Sequence, residues 1–294
     1  NGGNKNIMNI NMNIVLTGNP GTGKTTLARL MHKFLLAYNV LKKDTFVETT
    51  AVELKGKYCG HTAPKVKAAI QAAMGGTIFL DEAYSLNKGD SFSKEAIATL
   101  LTCLENNRTG VLCILAGYRD KMAEMMRDNS GFERRFQGSL HLPDYTPKEL
   151  VEIAVRYARR TFSMEVDPDV VPLLEEAIKS RDAMMIKEKN GGLAIEYAEK
   201  AMSRFANRMA RMAKTHPHMN FDDFQTLTAS DFDIVDTFAA QPLAEEVKQS
   251  DKMDVSREEA EETPEVVEMR QRERVKTEAL AELDRMVGFE RAKK

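Results

Sequence analysis

The chain has 294 residues, longer than one typical domain of ~100–200 residues, so we expect a main body and at least one smaller unit. Its 42 Lys and Arg residues balance 44 Asp and Glu residues, and the formal charge of −2 excludes a strong net basic field toward nucleic acid or an anionic membrane. The three cysteines lack C-x-x-C spacing, so we expect neither a disulfide framework nor a zinc site. The sequence has no apolar run of membrane-spanning length and no signal-peptide pattern, so we expect a cytoplasmic protein without a membrane partner. Residues 1–12 are polar and Asn-rich, which predicts a flexible start.

Short apolar runs alternate with longer segments of helical periodicity after this start. Such runs, bounded by Gly or polar residues, indicate buried parallel strands, and the segments between them are long enough for crossover helices. The sequence therefore predicts an α/β domain over residues 13–145 with a parallel sheet of five strands flanked by helices. The predicted strands are "NIVLTG" (13–18), "TFVET" (45–49), "GTIFLDE" (76–82), "VLCILAG" (111–117) and "GSLHL" (138–142).

The first predicted strand is followed by "GNPGTGKT", residues 18–25, and then by "TLARLMHKFLLAY", which has helical periodicity. A glycine-rich loop between a strand and a helix is the context that a phosphate-binding P-loop requires. Gly18, Gly21 and Gly23 let the backbone wrap a phosphate, and the helix N-terminus supplies aligned N–H groups. Lys24 is expected to reach the β- and γ-phosphates of ATP, and the Thr25 hydroxyl to bind Mg²⁺.

Two acidic residues, Asp81 and Glu82, end the third predicted strand. Asp81 is expected to hold Mg²⁺, mostly through its water shell. Glu82 is expected to polarise the attacking water, a general-base role worth ~10²–10⁴ in rate. A strand end that carries two solvated acids is the alternative interpretation. Together with the P-loop, the pair predicts ATP hydrolysis as well as ATP binding.

Two adjacent arginines, Arg134 and Arg135, lie in "NSGFERRFQG", just before the fifth predicted strand. One of them could reach the γ-phosphate bound by a neighbouring subunit, where an arginine finger is worth ~10³–10⁵ in turnover. Two solvated arginines on a turn are the alternative.

The pattern changes after residue 145. Thr146, Pro147 and Glu149 form an N-cap, an N1 proline and a capping-box acid, so a helix is expected to begin there. Helical periodicity then predicts a small helical domain over residues 146–240, almost without strands. Residues 241–275 are highly charged and indicate a linker, whereas residues 276–294 regain apolar spacing.

Several segments together resemble AAA+ ATPases of the CbbX/CfxQ group, which includes red-type Rubisco activases and stage V sporulation K-like proteins. They are "GNPGTGKTTLARL", "YCGHTAPKVKAAIQAAMGGTIFLDEAYSL", "LENNR", "ILAGYRDKM", "NSGFERRF" and "LPDYTPKELVEIA". The resemblance covers about residues 13–210, and the "GHTAPK…AMGGTIFLDEAY" stretch is far more specific than a P-loop alone.

The resemblance implies a ring, usually a hexamer, with ATP between subunits and a client polypeptide in the central channel. It implies Arg135, with Arg134 beside it, as the finger, and Tyr118 at the sensor-1 position. The pore loop that grips the client is implied at Tyr58, Cys59 and Gly60, and Walker B at Asp81 and Glu82. The implied Walker A residues are Gly18, Asn19, Pro20, Gly21, Thr22, Gly23, Lys24, Thr25 and Thr26.

Two features depart from the family pattern. Gly192 stands where relatives carry the sensor-2 arginine, which puts the coupling of hydrolysis to lid movement in doubt. The segment "LDRMVGFERAKK" (283–294) resembles the one that normally precedes the first strand, so we expect residues 276–294 to open a following AAA+ module or to dock onto this one.

The leading prediction is ATP-driven remodelling of a client protein by a homo-hexameric or tandem AAA+ ring. A regulatory or structural module that binds ATP but turns it over slowly is the second candidate, because of Gly192 and Tyr118. A nucleic-acid motor is the third and is disfavoured by the near-neutral charge; Arg204, Arg208, Arg211 and Lys214 form the stripe that could serve it.

Overall fold

A computed structural model describes residues 13–56, 58, 60–108, 110–181, 183–215 and 224–234. The expected flexible start, charged linker and final segment lie outside these residues, as does Cys59.

A five-stranded parallel sheet forms the centre of the first part of the chain, as predicted. The strand order is β2-β3-β4-β1-β5, and every neighbouring pair is parallel. In the register of β2 against β3, Thr50 lies opposite Asp81. The strands are β1 (Ile14–Thr17), β2 (Phe46–Thr50), β3 (Thr77–Asp81), β4 (Leu112–Gly117) and β5 (Gly138–His141).

Helices cover both faces of this sheet, which explains why its central strands are continuously apolar. Every residue of β4 is buried. Ile78 and Leu80 belong to the larger apolar cluster on one face, whereas Phe79 between them belongs to the cluster on the other face. The helices of this part are α1 (Lys24–Ala37), α2 (Ala51–Leu54), α3 (Thr62–Ala72), α4 (Ser91–Asn106), α5 (Arg119–Asp128) and α6 (Ser130–Arg135), with a 3₁₀ turn at Ala83–Leu86.

A second apolar core, formed by residues 150–232, belongs to a helical unit that we call the lid. Its first helix begins as predicted: Thr146 and Glu149 form a capping box, and Pro147 opens the helix. The lid also holds one short parallel strand pair that the sequence pattern did not predict. The elements are α7 (Pro147–Phe162), β6 (Glu165–Val166), α8 (Val170–Arg181), α9 (Ala183–Lys189), α10 (Gly191–Thr215) and β7 (Thr226–Leu227).

The connection from β1 through α1 leads to β2 at the far edge of the sheet, whereas β4 is the neighbour of β1. A crevice opens outside the carboxyl ends of parallel strands where the chain order changes direction, and ligands bind there in open α/β sheets. The carboxyl ends of β1, β3 and β4 therefore mark the place to look for a site.

Candidate functional site

The P-loop lies between β1 and α1, as its sequence predicted. Gly21 and Gly23 have φ values of 70° and 89°, in the left-handed region that favours glycine. The Nζ of Lys24 donates hydrogen bonds to the carbonyl oxygens of Gly18 at 3.0 Å and Asn19 at 2.8 Å, so the side chain folds over its own loop. Thr22 is buried, and its hydroxyl donates to the Asn19 carbonyl at 2.9 Å. The Thr22 side chain thus supports the loop from within.

The two predicted acids follow directly at the end of β3. Glu82 has φ 48°, a left-handed conformation that costs a residue with a Cβ ~1–2 kcal/mol. Its backbone N–H donates to Oδ1 of Asp81 at 2.9 Å, which fixes the turn. Such strained backbone is frequent at functional sites. The turn holds Asp81 half-buried and leaves Glu82 exposed.

An aromatic pair lies beside these acids: Tyr118, which the family resemblance implied, and Tyr84, which no sequence motif indicated. The rings of Tyr84 and Tyr118 are 5.7 Å apart, and Nζ of Lys121 lies 4.6 Å and 5.0 Å from their centroids. Gly117 makes room for this packing, because a Cβ there would lie 2.7 Å from Cδ1 of Tyr84. Burial, with the charge and hydrogen bond of Glu82, raises the pKa of Tyr84 to about 12. The phenol therefore remains a hydrogen-bond donor to Glu82 at neutral pH.

One cleft of about 1210 Å³ between the sheet and the lid brings these groups together. Gly18, Asn19 and Thr22 belong to the loop but do not line the cleft. The predicted residues that line it are Pro20, Gly21, Gly23, Lys24, Thr25, Thr26, Asp81, Glu82 and Tyr118.

The charges in the cleft suit a nucleotide bound with magnesium. Burial lowers the pKa of Lys24, and the negative charges of Asp81 and Glu82 oppose that shift. Thr25 and Asp81 offer the oxygen atoms that Mg²⁺ prefers. Among the described residues, no three His, Cys, Asp or Glu side chains group as a metal site. Mg²⁺ binds through one or two carboxylates plus substrate phosphates.

The lid supplies the opposite wall of the cleft with residues that no sequence motif indicated. Ile153 and Tyr157 of α7 and Ile195 of α10 offer apolar surface, and Arg156 and Arg160 offer positive charge. Gly192 lines the same wall without a side chain. Helical periodicity could have placed Ile153, Arg156 and Arg160 on one face of α7, but not opposite the P-loop.

Arg134 and Arg135 lie where the strands begin, at the end of the sheet opposite the cleft. They line a cavity of about 400 Å³ together with Asn13 and Gln137, the residues before β1 and β5. Arg134 is exposed. The Arg135 side chain is 17% exposed, and its Nη2 lies 2.8 Å from Oε2 of Glu105. Its Nη1 donates to the Gly131 carbonyl at 3.1 Å.

The loop that carries Tyr58 lies between α2 and α3. Tyr58 is 69% exposed and its ring meets His61 edge-on at 5.6 Å. Gly60 has φ 81° with open space around it. The base of the loop is fixed by Lys65, whose Nζ donates to the carbonyls of Glu53 at 3.3 Å and Lys55 at 3.0 Å. The structure therefore presents Tyr58 on a loop with an anchored base.

Two of the four residues in the basic stripe considered for nucleic acid, Arg204 and Arg208, form ion pairs within the lid. Arg208 binds the buried carboxylate of Asp231 through two hydrogen bonds of 3.0 Å and 2.7 Å. Arg204 pairs with Asp233 at 2.7 Å. In the part of the chain that the structure describes, no helix has both the length and the apolarity needed to cross a membrane.

The parallel sheet, the P-loop, the paired acids and the helical lid define a P-loop nucleoside triphosphatase. Two family models match the chain: the ATPase family associated with various cellular activities (AAA) at residues 14–140, and the AAA lid domain at residues 146–245. The chain belongs to the AAA family of ATPases, in the group whose members are named CbbX and CfxQ, as the sequence motifs predicted.

Two relatives illustrate this placement, and one solved structure shares the fold. Protein CbbX of Cereibacter sphaeroides is 44% identical over 49% of this chain and 47% of its own. A CfxQ homolog of Guillardia theta is 35% identical over 68% of this chain and 69% of its own. The crystal structure of the FIGL-1 AAA domain in complex with ADP has a TM-score of 0.53 at 21% identity, covering 76% of this chain and 71% of that one. The chain spans about half the length of CbbX and several other relatives.

Proposed function

We propose that the chain binds Mg²⁺·ATP in the cleft between the sheet and the lid and hydrolyses its γ-phosphate bond. The observation that carries the proposal is that Lys24, Asp81 and Glu82 line one cleft, above a P-loop and under a lid. A triphosphate needs cationic and N–H donors on one side and a positioned base on the other, and this cleft offers both.

Each group has a defined task in this reaction. Lys24 leaves the carbonyls of its own loop and binds the phosphates, while the N-terminus of α1 supplies N–H donors. Thr25 and Asp81 would hold Mg²⁺, which would supply positive charge against the phosphates. Glu82 accepts the proton of the attacking water. Ile153, Tyr157 and Ile195 form the apolar wall suited to the base of the nucleotide.

The variant Glu82→Gln tests this assignment. We expect turnover to fall by ~10²–10⁴, because the amide cannot act as a base, while ATP affinity stays within ~3-fold of the parent value. Steady-state phosphate release and equilibrium binding of ATP measure the two quantities. Glu124→Gln, an exposed acid on α5, is the matched control. Parent-like turnover in Glu82→Gln would remove Glu82 from the reaction.

We further propose that copies of the chain form a ring, as a homo-hexamer or within a tandem assembly. Arg135, with Arg134 beside it, serves as the finger toward the nucleotide of a neighbour. A strand of four to six residues spans ~13–20 Å, more than an arginine side chain reaches, so a cleft and an arginine pair at opposite ends of one sheet meet only between copies. Size-exclusion chromatography with light scattering, on Glu82→Gln with ATP at micromolar protein, tests the ring, and a monomer under these conditions contradicts it.

The proposed substrate of the ring is a client polypeptide held by the loop of Tyr58, Cys59 and Gly60. Exposure of Tyr58 on an anchored loop supports this. A folded enzyme as client is suggested by the name of one relative, ribulose bisphosphate carboxylase/oxygenase activase, which is 43% identical over 148 residues. Tyr58→Ala is expected to keep ATP binding and assembly but to lose stimulation of ATPase activity by unfolded casein. Loss of assembly instead would make Tyr58 a packing residue.

A module that binds ATP but turns it over slowly is the second candidate, favoured by Gly192 on the cleft wall. A steady-state ATPase assay, with and without a following AAA+ module, separates the two candidates. For that assay we propose residues 13–145 and 146–240 as the two units, 241–275 as linker and 276–294 as the first segment of the following module.

The thiols of Cys103 and Cys113 are free, which fits a reducing compartment such as the cytoplasm.

A further inference from the structure

The P-loop and the lid are joined by hydrogen bonds that centre on Asp144, a residue between β5 and α7. Nδ2 of Asn19, in the P-loop, donates to Oδ1 of Asp144 at 2.8 Å and to Oδ2 at 3.1 Å. Nδ2 of Asn190, the residue before α10, donates to the same Oδ1 at 2.9 Å. One carboxylate therefore links the phosphate-binding loop to the start of a lid helix.

Asn190 is held firmly in this position. It is fully buried, its φ is 44°, and its Oδ1 accepts a hydrogen bond from the Tyr145 N–H at 3.0 Å. The next residue, Gly191, donates its N–H to the Gly21 carbonyl at 3.0 Å. A Cβ on Gly21 would lie 2.0 Å from the Lys189 carbonyl oxygen. The start of α10 therefore rests directly on the P-loop, so a change in the P-loop acts on the start of α10.

The other end of the connection is the lysine that binds phosphate. Lys24 donates to the Asn19 carbonyl at 2.8 Å, and Thr22 donates to the same oxygen at 2.9 Å. When Lys24 turns to a phosphate, that carbonyl loses a charged hydrogen-bond donor. Because the side chain of Asn19 binds Asp144, Asn19 is the residue through which a change at Lys24 reaches the lid.

We propose that Asp144 is a positioning residue that couples nucleotide binding to the orientation of the lid, along the path Lys24, Asn19, Asp144, Asn190. Gly192 has no side chain with which α10 could contact a phosphate, so the start of α10 responds through its contact with the P-loop. The inference rests on the proposed function, since ATP is the ligand that moves Lys24.

The test measures lid movement and nucleotide affinity in the same protein. Spin labels are placed at Lys33→Cys, exposed on α1, and Met184→Cys, 87% exposed on α9, with Cys59 and Cys103 replaced by Ser. The distance between the labels is measured with and without Mg²⁺ and a non-hydrolysable ATP analogue. Asp144→Ala, which removes the oxygen that accepts from both asparagines, is compared with Asp169→Ala, which removes a carboxylate from the exposed surface of the lid.

In the parent and in Asp169→Ala we expect the analogue to shift the distance. In Asp144→Ala we expect less than about half of that shift, with analogue affinity within ~5-fold of the parent value and kcat for ATP lower by ~5-fold or more at similar KM. A full shift in Asp144→Ala overturns the proposal. So does a loss of analogue affinity of ~100-fold, because Asp144 would then act only by shaping the P-loop.

A second variant guards against misfolding. Asn190→Gly keeps a residue that tolerates φ 44° but removes the amide that binds Asp144. The double variant at Asp144 and Asn190 should lose no more of the distance shift than either single variant, because both substitutions break the same path. Additive losses would contradict the proposal. A parent that fails to bind ATP would reject the proposed function and this inference with it, whereas binding without any lid shift would reject the inference alone.

Discussion

The sheet has two ends that hold their charged groups differently. At its carboxyl end, where the parallel strands finish, lies the cleft with Lys24; at its amino end, where they begin, lie Arg134 and Arg135. At the carboxyl end the backbone sets the geometry: Gly21 and Gly23 are left-handed, Glu82 is strained, and Lys24 is bound to its own loop. At the amino end side-chain contacts set the geometry, since Nη2 of Arg135 lies 2.8 Å from Oε2 of Glu105.

The two ends also differ in the balance of charge that one chain supplies. The carboxyl end already holds a lysine, two acids and a hydroxyl around one cleft. The amino end places Arg108, Arg134 and Arg135 around Glu105, more positive than negative charge. Burial lowers the pKa of Arg135, and the charges of Arg134 and Arg108 add to that effect. An anion supplied by a second copy fits this end, as the proposed assembly requires.

The largest effect is expected at the amino end. Arg135→Ala should lower ATP turnover by ~10³–10⁵, because the negative charge of the transition state would lose the arginine that stabilises it. ATP affinity should change little. Phosphate release at saturating ATP measures this, and Arg127→Ala, an exposed arginine on α5, is the control.

Mixing sharpens the same prediction. Subunits with Arg135→Ala and subunits with Lys24→Ala should regain activity when combined, because some clefts then pair an intact P-loop with an intact arginine. Inactive mixtures that still assemble, or full activity of Arg135→Ala alone, would contradict a role in trans.

A smaller effect is expected for Gly21→Ala at the carboxyl end. The new Cβ would lie 2.0 Å from the Lys189 carbonyl and would require φ 70° of a residue that disfavours it. We expect ATP affinity to fall ~10-fold or more, from ~1–2 kcal/mol of backbone strain and ~1–3 kcal/mol of steric conflict. Gly89→Ala, at φ 75° in open space, carries the strain alone and should leave ATP affinity unchanged. Equal losses of affinity in both variants would rule out the contact with the lid as the cause.

The smallest effect is expected for Glu105→Gln, which weakens the attachment of Arg135. The pair is partly exposed, 17% for Arg135 and 37% for Glu105, so we expect the free energy of unfolding to fall by about 1 kcal/mol or less. Urea denaturation measures this change. A loss of several kcal/mol would mean that Glu105 supports the core rather than one arginine.

The five strands and the cleft residues of the sheet could be predicted because local patterns encode them. "GNPGTGKT" is one continuous loop, and Asp81 and Glu82 directly follow a buried apolar run. Tyr84 was overlooked, although it lies two residues beyond Glu82, because its role depends on packing against Tyr118 and Gly117. Asp144 and Asn190 lie 46 residues apart, and only tertiary structure brings them together.

The same limit applies to the lid wall and to the arginines. Nothing in the spacing of Arg156 or Arg160 indicates that α7 faces the P-loop, and nothing in "FERRF" indicates that Glu105 holds Arg135. The small β6–β7 pair was missed because two-residue strands carry no periodicity.

The strand β2 ends at Thr50, opposite Asp81, the last residue of β3. Neighbouring strands lie ~4.8 Å apart, and the loop of Tyr58 leaves from α2, which begins at the next residue, Ala51. A tension applied to Tyr58 is thus borne by the strand that adjoins the acids, with one row of sheet hydrogen bonds between them. If the loop of Tyr58 holds a client polypeptide as proposed, resistance from that client would reach Asp81 of the same subunit, and the rate of ATP hydrolysis would then depend on mechanical load.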